Sequence, residues 1–200
     1  MSEGRTGAAG GGLPPSGWLL RCASLISPRA RVLDVASGAG RHARLLRDLG
    51  HSVLAVDRDE TALAALASES GIQTLGADLE SDPWPFDPDS FDAVVVTNYL
   101  HRPLFPFLRQ ALRSGGVLIY ETFAKGNERF GRPRNPDFLL RCDELLALVM
   151  PLQVLAFEQG IVGAPTPAVV QRICAVKAVK AGELGSPIPV IPVAGVGALR

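Results

Sequence analysis

The sequence predicts an α/β fold, with helices on both faces of a doubly wound, mostly parallel seven-stranded sheet. Between Trp18 and Ala178, short runs rich in Val, Ile and Leu alternate with stripes of helical period, the pattern of a parallel sheet. The first such run ends in a Gly38-Ala-Gly40 turn that opens a helix. The last two runs follow each other without a helix, which predicts an antiparallel edge hairpin.

The elements follow in chain order. Ser16 is placed to cap a short helix in which Leu19, Cys22, Ala23 and Ile26 share a face, and Pro28 stops it. Arg31–Ala36 reads as a buried strand, and Ala43, Leu45, Leu46 and Leu49 mark a helix closed by Gly50. His51–Asp57 is the second strand, Asp59 or Thr61 starts a helix, Gly71–Leu75 is a short third strand and Phe91–Val96 the fourth. Leu104, Phe105, Leu108, Ala111 and Leu112 form one helical stripe before Ser114-Gly-Gly turns into the strand Val117–Glu121. This gives five strand–helix units. Cys142, Leu145, Leu146 and Val149 mark another helix, and Leu152–Phe157 and Val169–Val176 are the last strands. Residues 1–17 carry little that is apolar and read as a disordered Gly-rich arm; residues 18–178 form the domain; residues 179–200, broken by Pro187, Pro189 and Pro192, read as a flexible Pro/Gly-rich tail.

Composition narrows the function classes. Twenty Lys and Arg balance twenty Asp and Glu, so the chain lacks the bulk charge of a nucleic-acid or acidic-membrane binder. Three dispersed cysteines form no C-x-x-C pair, which argues against a disulfide framework or a zinc site, and no metal is expected. The apolar runs, Phe91–Val96 among them, fall far short of the roughly 20 residues of a membrane helix. A soluble, cytoplasmic protein is expected, with its oligomeric state open.

In a doubly wound sheet the ligand lies beyond the carboxyl ends of the strands. There the first strand reads Asp34-Val-Ala-Ser-Gly38-Ala-Gly40-Arg41-His42. Paired glycines let the backbone approach a ligand, and the helix start offers free N–H groups to an anion. Gly38-x-Gly40-x-x-Ala43 fits a dinucleotide loop, and Asp57, about twenty positions on, stands where a carboxylate grips a ribose diol. Asp34 separates two nucleotides. A carboxylate there repels a pyrophosphate but suits a cationic cofactor. Asp34 as an acceptor for turn amides and Asp57 as a helix cap are readings compatible with both. Ser37 is no nucleophile elbow, because the Gly-x-Ser-x-Gly spacing is missing.

With these residues the sequence resembles the class I S-adenosylmethionine-dependent methyltransferases, whose first motif is an acidic residue followed by alternating glycines. Ala36 replaces the first of those glycines, a change that costs little if its φ is negative. The likeness runs from about Val32 to Glu121, through Asp57, Gly76-Ala-Asp78-Leu79, Phe86–Val96 and Leu112–Leu118. Gly40-Arg-His42, Leu49-Gly-His51, Asn98–Arg102 and Glu121-Thr-Phe123 further resemble small bacterial tellurite-resistance-type enzymes. The resemblance implies a Rossmann-like sheet with the last strand antiparallel between strands five and six, and S-adenosylmethionine as cofactor. It implies a cofactor set of Asp34, Ala36, Ser37, Gly38, Gly40, Arg41 and His42 after strand one and Asp57 and Arg58 after strand two. Ala77, Asp78 and Leu79 join after strand three, and Thr97 and Asn98 after strand four. Trp84 is either a packed turn aromatic or a wall of the adenine pocket.

Methyl transfer from a sulfonium needs alignment more than a base. The candidates for direct chemistry are Tyr99 and His101, and only His101 titrates near neutrality. Lys125, Arg129, Arg132, Arg134 and Arg141 against Glu128 and Asp137 make a net positive loop after strand five. Arg102, Arg132 and Arg134 are the expected contacts to a small-molecule acceptor, anionic or softly nucleophilic. Two rivals stand beside this reading, a nicotinamide-dependent oxidoreductase and a non-catalytic nucleotide-binding module.

Overall fold

The computed structural model describes residues 13–163 and 166–179. The Gly-rich start through residue 12 and the tail from residue 180 lie outside them.

Seven strands form one sheet: β1 (Arg31–Val35), β2 (Ser52–Asp57), β3 (Ile72–Gly76), β4 (Phe91–Thr97), β5 (Leu112–Phe123), β6 (Gln153–Val162) and β7 (Ala168–Val176). Their order is β3-β2-β1-β4-β5-β7-β6. The first five are parallel neighbours, while β7 runs antiparallel to both β5 and β6, the order the resemblance implies. The helices are α1 (Gly17–Cys22), α2 (Arg41–Asp48), α3 (Glu60–Ala64), α4 (Phe105–Ala111) and α5 (Glu144–Val149). None of the described helices is long and apolar enough to cross a membrane.

The central strands β1 and β4 are almost wholly buried because both faces are covered. Alternate residues go to opposite faces. Leu33, Val35, Val94, Val96, Leu118 and Tyr120 join one core with α4 and α5, and Val32, Val53, Ala55, Val95, Val117 and Ile119 join the other with α1 and α2. The two cores enclose β1 and β4, whose carboxyl ends carry the site.

Three expectations need correction. Residues 13–17, assigned to the arm, are placed on the domain. Ser16 Oγ accepts from the amides of Trp18 (3.0 Å) and Leu19 (3.4 Å), and Trp18, Leu19 and Cys22 are buried. Burial of those three side chains provides the free energy that orders the segment. Second, no helix follows β3. Trp84 stacks on Phe107 (5.9 Å between ring centroids) and meets Phe86 edge-on (5.0 Å), and Phe86 meets Phe91 (5.3 Å). This aromatic cluster covers the sheet where a fifth crossover helix was expected, so Trp84 is a packing residue. Third, β5 begins five residues early, at Leu112, with its register shifted against β4 between Phe91 and Ala93.

Candidate active site

The loop after β1 is built on three left-handed residues: Ala36 (φ 53°), Gly38 (φ 52°) and Gly40 (φ 75°). A negative φ was the condition on which Ala36 could replace glycine at little cost; here φ is positive, and an L-residue in this region costs about 1–2 kcal/mol. The turn is held by bonds from Ser37 N to Val56 O and from Gly40 N to Ser37 O, each 3.0 Å. At Gly40 a Cβ would run into the buried Leu66 side chain, so this position needs glycine for space as well as for φ.

Beneath the first turn of α2 lies Asp34, 1% exposed, with no well-aligned hydrogen bond to either carboxylate oxygen and the Ala43 amide as its nearest donor in the electrostatics. Desolvation pushes its pKa up to about 7, only partly offset by the Ala43 amide and the Arg41 guanidinium, with Asp57 adding to the rise. His42 is also buried. Its Nε2 accepts from the Ser16 amide (3.1 Å), so Nδ1 carries the proton and donates to Thr97 Oγ1 at 2.9 Å. Burial, with Arg41 adjacent, lowers its pKa to about 4. The imidazole is neutral and committed at both nitrogens, clamping the Ser16 segment to β4. A hydrogen bond from His42 to a ligand, expected from sequence, would have to displace one of these partners.

Two cavities open along the carboxyl edge. The first, about 320 Å³, is lined by Ala36, Asp57, Arg58, Ala77, Asp78, Leu79, Glu80 and Tyr99 among others. Asp57 Oδ2 accepts from Gly38 N (2.7 Å) and Oδ1 from Asp59 N (2.9 Å). A carboxylate has about four acceptor sites, which leaves room for a diol. Asp78 Oδ1 accepts from Glu80 N (3.1 Å) and Oδ2 from Ser81 Oγ (3.3 Å). Burial, then the neighbouring Glu80 carboxylate, hold the Tyr99 hydroxyl well above its ordinary pKa. Tyr99 therefore stays protonated and serves as a donor, not a base.

The second cavity, about 310 Å³, is walled by Leu13–Gly17, Arg41, Asn98, Glu121, Arg132 and Arg172 together with apolar residues of β5, β6 and β7. Arg41 Nη1 donates to Pro14 O (3.0 Å). Asn98 (φ 56°) ends β4 and donates its amide to Glu121 O at 2.8 Å. With Tyr99 it also lines a smaller recess of about 220 Å³, and Asn98 lines the second cavity while Tyr99 lines the first, so the end of β4 borders both.

The expected acceptor contacts separate. Arg132 lines the second cavity, whereas Arg134 lines a groove of about 650 Å³ shared with Lys125, Arg141 and Arg102. Arg102 gives Nε and Nη2 to Glu144 (2.8 and 3.0 Å), Nη1 to Asp137 O (2.6 Å) and Nη2 to Leu139 O (3.0 Å). It is a fastener of the loop after β5, and its guanidinium holds the Glu144 pKa down at about 2. His101 makes no side-chain cap bond and lines none of these cavities. Sequence reasoning missed Glu121 and Arg172 as a pair, with Arg172 Nε 2.6 Å from Glu121 Oε2 and Ser16 Oγ donating to Oε1 at 2.9 Å. The available signal was Gln171-Arg172 inside an otherwise apolar strand.

Residues 32–116 match the methyltransferase domain family. The chain is 30% identical over 118 residues to demethylmenaquinone methyltransferase of Clavibacter sepedonicus, 54% of this chain and 47% of that one. It is 33% identical over 105 residues to protein-L-isoaspartate O-methyltransferase of Dinoroseobacter shibae, 50% of this chain and 48% of that one. The chain thus spans about half the length of the curated relatives it matches. Among solved structures, TehB from Haemophilus influenzae superposes with a TM-score of 0.69 at 20% identity, over 82% of this chain and 62% of that one. An S-adenosylmethionine-dependent methyltransferase from Mesorhizobium loti gives 0.64 at 20% identity, over 80% and 98%. Residues 32–116 thus match a methyltransferase domain, and the sheet shares the fold of solved S-adenosylmethionine-dependent methyltransferases.

Proposed function

We propose that the protein transfers a methyl group from S-adenosylmethionine to a small acceptor that is anionic or a soft nucleophile. The observation that carries this reading is the buried Asp34 carboxylate, without a well-aligned hydrogen bond, beneath a glycine turn. An acid kept in that place at a cost in desolvation suits a cation and disfavours a pyrophosphate.

The residues present fit the cofactor. Asp57 has acceptor sites left for a ribose diol, Asp78 and Leu79 border the place of the base, and Ala36 and Ala77 leave flat walls between them. The free amides at the start of α2 and the Arg41 guanidinium suit a carboxylate. When bound, the cofactor supplies an electrophilic methyl on a sulfonium. The chain's own contribution is alignment: Asn98 and Tyr99 stand between the two cavities, and the Leu13–Gly17 segment forms one wall of the second. Arg132 is the acceptor-holding residue on this reading. Arg102 and Arg134 lie in the neighbouring groove.

The test is methyl-label transfer by the full chain together with cofactor binding by Asp57→Ala. Loss of charge-assisted bonds worth about 1.5–3 kcal/mol each predicts affinity for S-adenosylmethionine at least about tenfold weaker. Normal binding by that variant would remove Asp57 from the site.

A further inference from the structure

The second cavity carries more positive charge than its partners neutralise. Arg41, Arg132 and Arg172 line it against one carboxylate, Glu121. Arg172 is committed, with Nε at 2.6 Å from Glu121 Oε2 and Nη1 at 3.5 Å from Glu158 Oε2, and Glu158 also pairs with Arg21. Arg41, already bonded to Pro14 O, stands in the first turn of α2 beside the place of the cofactor carboxylate. Arg132 has no hydrogen bond or ion pair within the described residues, and Phe123 and Phe130 line the same cavity.

A bound S-adenosylmethionine would add an ammonium, a sulfonium and a single carboxylate, leaving the positive excess in place. Arg132 is exposed at the open mouth of this cavity of about 310 Å³, so its guanidinium is free to meet an anion, and one planar fork matches one carboxylate. A phosphate dianion would ask for a second free cation. Glu121, meanwhile, keeps acceptor capacity: Oε1 takes only the Ser16 hydroxyl, and Oε2 faces Arg172 without a well-aligned hydrogen bond. Between the two charges the wall is apolar, with Phe123, Val162 and Val170.

We propose that this cavity takes a small bifunctional carboxylic acid, its carboxylate held by Arg132, its short apolar body against Phe123 and Val170, and a protonated nucleophile (N–H, O–H or S–H) directed at Glu121. The proposal rests on the methyltransferase reading and names the acceptor class for it. In the transfer, the lone pair of the nucleophile forms the bond to the methyl carbon, and the methyl–sulfur bond electrons remain on sulfur as a neutral thioether. The displaced proton passes to Glu121 and then to water. Arg172 and Ser16 position Glu121 for this.

The experiment uses the full chain and a series of ω-amino, ω-hydroxy and ω-mercapto carboxylic acids from glycine-sized to hexanoate-sized, each beside its primary amide. Binding is read calorimetrically in the presence of S-adenosylhomocysteine, and transfer is read as methyl label from S-adenosylmethionine. The expected result is that acids bind and are methylated while their amides are weaker by on the order of tenfold or more. Arg132→Ala should raise KM by about the same factor with S-adenosylhomocysteine affinity unchanged, and Arg132→Lys should recover part of it. Glu121→Gln should lower kcat while still binding both acid and S-adenosylhomocysteine; the latter also verifies that the variant folds. Amides that perform as well as acids, an Arg132→Ala protein with unchanged KM, or no acid bound by a protein that does bind S-adenosylhomocysteine would overturn the assignment. Failure to bind either form of the cofactor would overturn the methyltransferase reading beneath it.

Discussion

Asp34 and His42 are neighbours in the site with opposite errands. Asp34 has a pKa raised to about 7 from an ordinary 3.8, so its protonated form is favoured by folding. Its contribution to stability is complete below pH 3.8 and is lost as pH rises to 7, a cost on the order of 4 kcal/mol once the acid is charged. Asp34→Asn should therefore gain stability over the native chain at pH 8.5 relative to pH 4, while S-adenosylmethionine binding weakens. Denaturant titrations at the two pH values check the first part and calorimetry the second. An unchanged pH difference would mean that the carboxyl is not desolvated. His42, lowered to about 4, is neutral in the native state. Its folded pKa lies below the unfolded 6.5, so as pH falls from 6.5 to 4 the unfolded chain takes up the proton first and stability declines. His42→Ala should remove that slope and free the Ser16 segment. Ala36 is the residue where sequence reasoning met its limit, because the sign of φ was set by the turn and not by the side chain.

At the scale of elements, α1 is the piece whose role could not be read from composition. Six residues cannot sustain a helix alone, so α1 exists because Trp18, Leu19 and Cys22 bury against β5 and β7, with Trp18 Nε1 donating to Ile173 O at 3.1 Å. Trp18→Ala should cost about 3–5 kcal/mol. It should also release residues 13–17, seen as faster amide exchange at Ser16 and loss of the second cavity's wall; protection of Ser16 left intact would contradict this coupling. The loop after β5 is fastened differently, by Arg102 and Arg141 on Glu144. Glu144 titrates near 2 in the fold against 4.5 unfolded, so this contribution is present above pH 4.5 and lost as pH falls toward 2. Glu144→Gln should flatten acid unfolding across that window, as read by circular dichroism. Its place after strand four made Arg102 an expected acceptor ligand; only the structure reveals the carboxylate and carbonyls that take its donors, because Glu144 and Asp137 reach it through tertiary packing.

For the whole molecule, the legible part was what periodicity and local turn chemistry encode. The alternation of β-branched runs and helical stripes located strands β1 to β4 to within a residue or two and the end of β5, though not its start, and the signal is strongest in β1 and β4, which are buried on both faces. The position of β7 between β5 and β6 came from resemblance, because no local signal states which neighbour a strand will choose. The missing helix after β3 was illegible for a related reason: Trp84 and Phe86 cover the sheet as a side-chain cluster, and clusters have no period. Of the residues bordering the first cavity, Asp57 was named from its spacing to the glycine turn, and Ala36, Arg58, Asp78 and Leu79 from the family resemblance, which aligns loops at strand ends. Glu121 and Arg172 were not paired, because their meeting depends on antiparallel register across two strands, Glu121 opposite Arg172.

The central claim is that the carboxyl edge of this sheet accommodates a cationic nucleoside. The most direct measurement is calorimetric titration of the full chain with S-adenosylmethionine, S-adenosylhomocysteine and NADH in one buffer. The account predicts saturable binding of the first two and none of NADH; binding of NADH alone would contradict the role given to Asp34 and move the site to dinucleotide chemistry.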